Sequence, residues 1–527
     1  VKKALVRKDS YFDSVLLMSI SKKLKASPGL DDAVVAMATP MNVELLLSQG
    51  YAASDLAGGT PNDIVIAVDC ADAEAIDSAF AAATELLSRK TAPAGLGAAP
   101  QPTSLAAAIE LLPGANMAVI SLPGAYAARE ARKALQSGLH VMLFSDNVSL
   151  EDEIELKKLG REKGLLVMGP DCGTAIINGK PLCFANVVKQ GPVGVVAASG
   201  TGLQEVTCLV DRFGAGISQA IGTGGRDLKN ERVGGITMLM GIEALARDPA
   251  TSVIVVVSKP PAAAVAARVA QALQASGKPS VVHFIGLSAL PALAAEGRGG
   301  APLFARSLEE AARMAVGLVP GVPAKAAPGE ASVSETIEAL ALRETRGIKR
   351  GQKYLRGYYT GGTVADEAMF ILHGLTGALW SNNQTLPAFI LPDPKKSQGH
   401  TIVDLGDDVF TVGRPHPMID PSTRTDRILA EVDDKAIAVI LVDVVLGYGS
   451  HPDPAGALVP ALLEARRAAE VRGGYLPVVC SVIGTEGDYQ GYAGQVAKLE
   501  AAGCVVMPSN WQAAMLAARI IEKAAAL

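Results

Sequence analysis

The chain has 527 residues, room for three or four domains at ~100–200 residues each. Its formal net charge of -5 argues against the clustered basic surface of a nucleic-acid protein, and no run approaches the ~18 uninterrupted apolar residues of a spanning helix. Hydrophobic residues make up 49% but aromatics only 4%, so small branched side chains must fill cores of the kind found in parallel sheets buried on both faces.

In chain order, residues 1–90 open with a strand over 1–7 and an amphipathic helix over about 11–25 that Ser27, Pro28 and Gly29 terminate. Strands over 31–37 and 63–68 and a helix over 73–88 complete a small βαβ-type N-terminal module. Lys2, Lys3, Arg7 and Lys8 break any apolar core of a leader, so a cytoplasmic location is expected. Residues 91–104, rich in Pro, Ala and Gly and without charge, form the clearest linker.

From 105 to 187 strands (117–122, 140–144, 165–168) alternate with helices (125–137, 150–163) as in a parallel sheet. A second alternating block runs over 190–320 with strands at 193–197, 216–221, 252–257 and 280–285. After a linker at 320–345, a third block fills 348–527 with strands at 354–359, 438–442, 477–482 and 504–507. The fold class expected is α/β, with several doubly wound domains.

The six cysteines (Cys70, Cys172, Cys183, Cys208, Cys480, Cys504) form no CxxC pair, and buried neutral thiols are the ordinary reading. His140, His283 and His373 lie in apolar segments and read as core histidines, and His400 opens a strand without an assigned role.

The strongest chemical signal is the strand 193–198 stopping at Ser199, Gly200, Thr201 and Gly202, which must open a helix. A helix start offers unpaired N–H groups and the positive end of the dipole, which suits a phosphate or carboxylate. The same residues also read as a plain N-cap, and the Lys of a P-loop is missing. Thr360, Gly361, Gly362 and Thr363 repeat the pattern in the third block, where Thr363 could equally act as a cap. Leu122, Pro123, Gly124 and, separately, Pro170, Asp171, Cys172 lie at carboxyl ends of strands, where open α/β sheets bind ligands, or are simple turns. The third block also carries a polar run, Asp404 to Asp420 with Arg414 and His416, held rigid by Pro415 and Pro417. It reads as functional or as a salt-bridged surface loop. Its carboxylates lack the regular spacing of a metal site, and none is expected. The loops around His451, Asp453 and Thr485 would gather at the same edge.

Pro123–Gly124, Pro170–Cys172, the run 191–201, Glu205, Gly222–Gly225 and 277–285 together resemble the α subunit of succinyl-CoA synthetase over about a third of the chain. The resemblance implies a coenzyme A site at Pro123, Gly124, Pro170, Asp171 and Cys172, a Rossmann-like domain at 105–187, flavodoxin-like domains at 190–320 and 348–527, a phosphoryl site at Ser199–Gly202, and a glutamate, Glu205, that steadies a phosphohistidine. That histidine has no counterpart, because 286–298 contains none, so no phosphohistidine is expected. Asp171 stands where the synthetase has asparagine, and no ATP-grasp module is present.

Over nearly its whole length the chain resembles the FdrA family, through Tyr358–Thr363, Asp404–Asp420 and Val442–Gly449. This implies an acyl- or carbamoyl-transfer subunit that handles an acyl phosphate or a coenzyme A thioester, with an oxamate carbamoyltransferase of allantoin catabolism as the concrete version. On that reading Ser199, Gly200, Thr201, Gly202, Gly361, Gly362 and Thr363 cradle phosphate, and Glu205, Arg414, His416 and Asp420 are catalytic. A succinate–CoA ligase working with a nucleotide-binding partner and a non-catalytic coenzyme A scaffold are the alternatives. Partner subunits and a homo-oligomer are expected, with neither nucleic acid nor membrane as partner.

Overall fold

In the computed structural model, all residues are described except 9, 11, 13, 26, 71–73, 90–101, 288, 290–299, 323–329 and 412–413. The chain forms two compact units, Val1–Gln101 with Phe410–Pro415, and Pro102–Val409 with His416–Leu527.

The first unit holds a three-stranded antiparallel sheet in the order Lys2–Arg7, Ile64–Cys70, Leu30–Met37. The two outer strands are parallel to each other but do not touch, so the adjacent βαβ pairing expected from the sequence is split by the third strand. Ile64–Cys70 takes the middle because it is apolar on both faces and almost wholly buried, whereas Lys2–Arg7 is mostly solvated. Leu17, Leu24, Ala83 and Leu87 cover one face, and Leu46, Tyr51 and Leu56 the other.

The second unit contains three sheets. Met117–Ile120, His140–Leu143 and Val167–Met168 form a small parallel sheet in that order. The seven-stranded sheet runs Leu303–Phe304, Ser280–Phe284, Val253–Ser258, Gln190–Ala198, Ile217–Gly222, Thr174–Ile177, Lys180–Cys183. Its first five strands are parallel, and the hairpin 174–183 is added antiparallel at one edge. These residues, which the sequence places within the 105–187 block without a strand, thus form a hairpin that pairs with the next sheet. The six-stranded sheet is all parallel, in the order Leu379–Trp380, His400–Asp404, Tyr354–Tyr359, Ile437–Val445, Val478–Ile483, Val505–Met507.

Both larger sheets are doubly wound. In each, strand order reverses beside the first strand: between Gln190–Ala198 and Val253–Ser258 in one, and between Tyr354–Tyr359 and Ile437–Val445 in the other. Loops at such switch points splay apart and leave a crevice outside the carboxyl ends of the strands. One continuous apolar core spans both sheets. It is filled by the helices Gly200–Arg212, Leu308–Gly317, Gly362–Thr376 and Asn510–Ala525.

Candidate functional site

The two switch points face each other. The Ser199 hydroxyl donates to Thr363 Oγ1 at 2.8 Å, and the Thr363 N–H donates to Thr201 Oγ1 at 3.2 Å. Glycine is needed at 361, because a Cβ there would stand 2.7 Å from the Thr201 methyl. The sequence therefore brings both glycine-rich helix starts to one place, 162 residues apart along the chain.

The second start is already filled by the protein. Asp443, wholly buried at the end of its strand, accepts from the N–H of Thr360 (2.8 Å), the Thr360 hydroxyl (2.9 Å) and the N–H of Gly361 (2.9 Å). Arg424, also buried, pairs with Asp443 at 3.1 Å. Above Gly362 lies the Asp404 carboxylate, whose Oδ2 is 2.5 Å from where a Cβ would be. Gly361, Gly362 and Thr363 are therefore not a phosphate cradle. Thr360 and Gly361 donate to Asp443 and Thr363 donates to Thr201, and two carboxylates hold the space an anion would take. Burial pushes the Asp443 carboxyl up and the Arg424 guanidinium down despite their pairing, so desolvation outweighs their attraction. The pair is kept for the cap it makes.

The first start is different. Ser199 caps Gly202 with its hydroxyl (3.0 Å), yet among the described residues nothing accepts from the N–H of Gly200 or Thr201. Gly200 is exposed, and the space above it is open to Thr174 Oγ1 at 3.7 Å. On the neighbouring strand Ser258 pairs in register with Ala198, so the Lys259 backbone follows beside this start, while its Nζ reaches the second start, 3.6 Å from where a Cβ on Gly362 would be. Lys259 Nζ lies 2.7 Å from Asp366 Oδ2, with its side chain 33% exposed. Desolvation is the largest influence on Lys259 and opposes its charge, but Asp366 and Asp404 outweigh it and raise its pKa. Asn383 donates to the other oxygen of Asp366 at 3.1 Å. Burial pushes Asp404 up to about 7, with Asp366 adding to the effect against the pull of Lys259. Sequence reasoning missed Lys259. The signal was a lone lysine ending an apolar strand.

His416 joins this crevice. Its Nδ1 accepts the N–H of Met418 at 3.2 Å, which leaves the proton on Nε2. Burial pushes its pKa down to about 4, so it is a neutral donor. Nε2 faces Gly406, where a Cβ would stand 2.6 Å from it and 3.3 Å from Asp404 Oδ1. The Phe184 ring lies 5.8 Å from the imidazole, and Phe144 lies 5.8 Å from Phe184. Asp171, at φ +57°, is exposed on its loop. Its carboxyl is pushed up to about 6 by partial desolvation and by Asp146, against the pull of Lys259.

Other expected site residues stand elsewhere. Glu205 is buried in the shared core, where Oε1 accepts the N–H of Asn510 at 3.0 Å. It caps that helix instead of reaching the crevice, because one helical turn carries it from the open start into the packing interface. Cys172 is buried with its thiol toward the Thr174 carbonyl, and burial raises its pKa to about 12. It is a core residue. Asp420 accepts from the N–H of Ser422 at 3.0 Å and so serves the start of helix Ser422–Leu429. Arg414 is exposed and groups with the first unit. Pro123 and Gly124 open their helix, with Gly124 obligatory because a Cβ would strike the Asn147 backbone at 2.4 Å. Pro170 is buried in its turn.

Comparison with known proteins bears on this arrangement. A CoA-ligase family model matches residues 358–520, a CoA binding domain model matches 188–286, and a model described as "AllF, heavy metal-associated domain" matches 1–102. The block 105–187, to which the resemblance assigns coenzyme A contacts, lies outside the CoA binding match. The α-2 subunit of the ADP-forming succinate–CoA ligase of Archaeoglobus fulgidus is 27% identical over 185 residues, covering 34% of this chain and 61% of that one. The segments 358–520 and 188–286 are thus similar to CoA-ligase and CoA binding domains, and both are doubly wound. More particularly, the chain belongs to the family of the Escherichia coli (strain K12) protein YahF, with 43% identity over 528 residues and 99% of both chains covered. The dinucleotide-forming acetyl-CoA synthetase 1 of Ca. Korarchaeum cryptofilum, solved with phosphate and ADP, covers 78% of this chain and 83% of its own at 18% identity and a TM-score of 0.28.

The name of the N-terminal match raises the question of a metal. The unit's cysteine, Cys70, is buried in the central strand, and among the described residues no three His, Cys, Asp or Glu side chains converge to hold an ion. These residues do not fit a metal centre. No described helix is long and apolar enough to cross a membrane.

Proposed function

We propose that the chain is a subunit of an enzyme that transfers an acyl group by way of an acyl phosphate or a coenzyme A thioester. The observation that carries this is the unaccepted Gly200–Thr201 amides at a switch point where two helix starts meet, with the Lys259 ammonium at the facing start beside Gly362. Fixed donors and a fixed charge there would hold the oxyanion of a transferring group without reorganising. A neutral His416 adds a further donor across the crevice. The FdrA resemblance supports the narrower version, a carbamoyl group passing between phosphate and oxamate, and partner subunits would supply what this chain lacks. Titration calorimetry with coenzyme A, carbamoyl phosphate and inorganic phosphate tests the reading, with Lys259→Met as the comparison. We expect one of the first two to bind and to lose at least tenfold in affinity in K259M. Equal binding by K259M would remove the reading.

One observation favours a second reading, a non-catalytic coenzyme A-binding scaffold. Asp171, Asp366 and Asp404 around Lys259 make the crevice acidic, and the second helix start is shut. A scaffold binds coenzyme A yet turns over no acyl phosphate with any partner supplied. A third possibility, ligase chemistry through a covalent phosphate, is tested with labelled ATP. No acid-labile phosphohistidine should form.

A further inference from the structure

Away from the crevice, the six-stranded sheet has a cavity of about 170 Å3 beside the amino-terminal ends of Tyr354–Tyr359, Ile437–Val445 and Val478–Ile483. Its floor is apolar and buried, formed by Ile428, Ile440, Ala465 and Leu476. Four cations line it, Lys349, Arg350, Lys435 and Arg472, against two carboxylates, Glu431 and Asp434.

Both carboxylates are already neutralised from outside the lining. Glu431 pairs with Arg427 at 2.9 Å and Arg356 at 3.3 Å, and accepts the Tyr358 hydroxyl at 2.6 Å. Asp434 pairs with Arg356 at 2.7 Å. Two acids and two arginines thus close on themselves. Among the described residues, Lys349, Arg350 and Lys435 have no carboxylate partner, and Arg472 has only the exposed Asp433 at 3.7 Å. Cations gathered around a low-dielectric hollow focus a positive potential into it. An apolar floor with a few charges at the mouth is the usual composition of a small-ligand site.

We propose that this cavity binds a small organic anion, a short-chain carboxylate whose carbons lie on the Ile428–Leu476 floor and whose charge lies among the cations. The site is separate from the acyl-transfer crevice and stands whether or not that reading holds.

The test is calorimetry on the full chain with butyrate, butylamine and inorganic phosphate as probes, on the wild type, on an Arg350→Glu/Lys435→Glu double variant and on Lys259→Met. Both reversed residues are exposed, so a matching circular-dichroism melt checks that the double variant folds. Saturable butyrate binding is expected, unchanged in K259M, at least roughly tenfold weaker in the double variant, and without a butylamine counterpart. Three results would overturn the proposal: no butyrate binding, equal binding in the double variant, or loss of binding in K259M, which would place butyrate in the crevice. Phosphate binding as tight as butyrate would also overturn it, since surface charge alone would then suffice.

Discussion

Replacing Asp443 by Asn tests the claim that the protein itself closes its second helix start. In the wild type one carboxylate accepts from Thr360 N–H, Thr360 O–H and Gly361 N–H and neutralises Arg424, all of it buried. Asn keeps a single acceptor, so its NH2 faces the Gly361 N–H donor to donor, and Arg424 keeps a charge with no counter-ion. Removing one partner of a buried pair costs ~3–5 kcal/mol, and an orphaned buried N–H ~1–3 kcal/mol more. Some relaxation and water entry must offset part of this, which leaves a net loss of about 4 kcal/mol. At ~2–4 °C per kcal/mol for a domain of ~150–250 residues, the calorimetric melting transition of the six-stranded domain should fall by roughly 8–16 °C. Wild-type melting should be insensitive to phosphate through this start, because the Asp443 and Asp404 carboxylates hold the space an anion would take. A D443N melt within ~2 °C of wild type would refute the capping argument, since neither an orphaned guanidinium nor an orphaned amide could be so cheap.

The remaining predictions concern protonation, packing and charge. Burial raises Glu205 and Glu367 to about 7, so the folded state holds protons the unfolded chain has released, and each contributes stability that is complete below about pH 4.5 and lost as pH rises to about 7. Glu205→Gln should flatten that slope by about 3 kcal/mol between pH 5 and pH 8, read from urea melts at each pH; an unaltered slope would contradict the assignment. His416 runs the other way. Its pKa, pushed down to about 4, gives a contribution present above about pH 6.5 and lost as pH falls towards 4, and His416→Gln should remove this acid-side loss from the same melts. Gly361→Ala should cost ~1–3 kcal/mol by driving a methyl against Thr201, measured as a shift in the urea midpoint. Lys259→Met leaves Asp366 without its counter-ion and should lower the melting temperature, and on the proposed reading it should also abolish acyl-group transfer at temperatures where the variant is folded; full turnover there would exclude Lys259 from the chemistry.

Local pattern alone determined a good deal about this protein. Unbroken apolar runs such as Val253–Val257 and Ile437–Val442 read as strands buried on both faces, and the Ser199 cap on Gly202 lies within four residues. The parallel doubly wound architecture and the proximity of strand ends to glycine-rich loops followed from these. What occupies each loop did not. Asp443 lies 83 residues from Thr360, and Glu205 lies 305 residues from the Asn510 amide it caps. Both helix starts look alike as sequence because each offers the same amides and hydroxyls. Only the order in which the strands assemble decides that one meets the buried Asp443 carboxylate while the Gly200 and Thr201 amides of the other meet no acceptor among the described residues. Sheet order is set by burial summed over the whole core, and no short window of residues contains it.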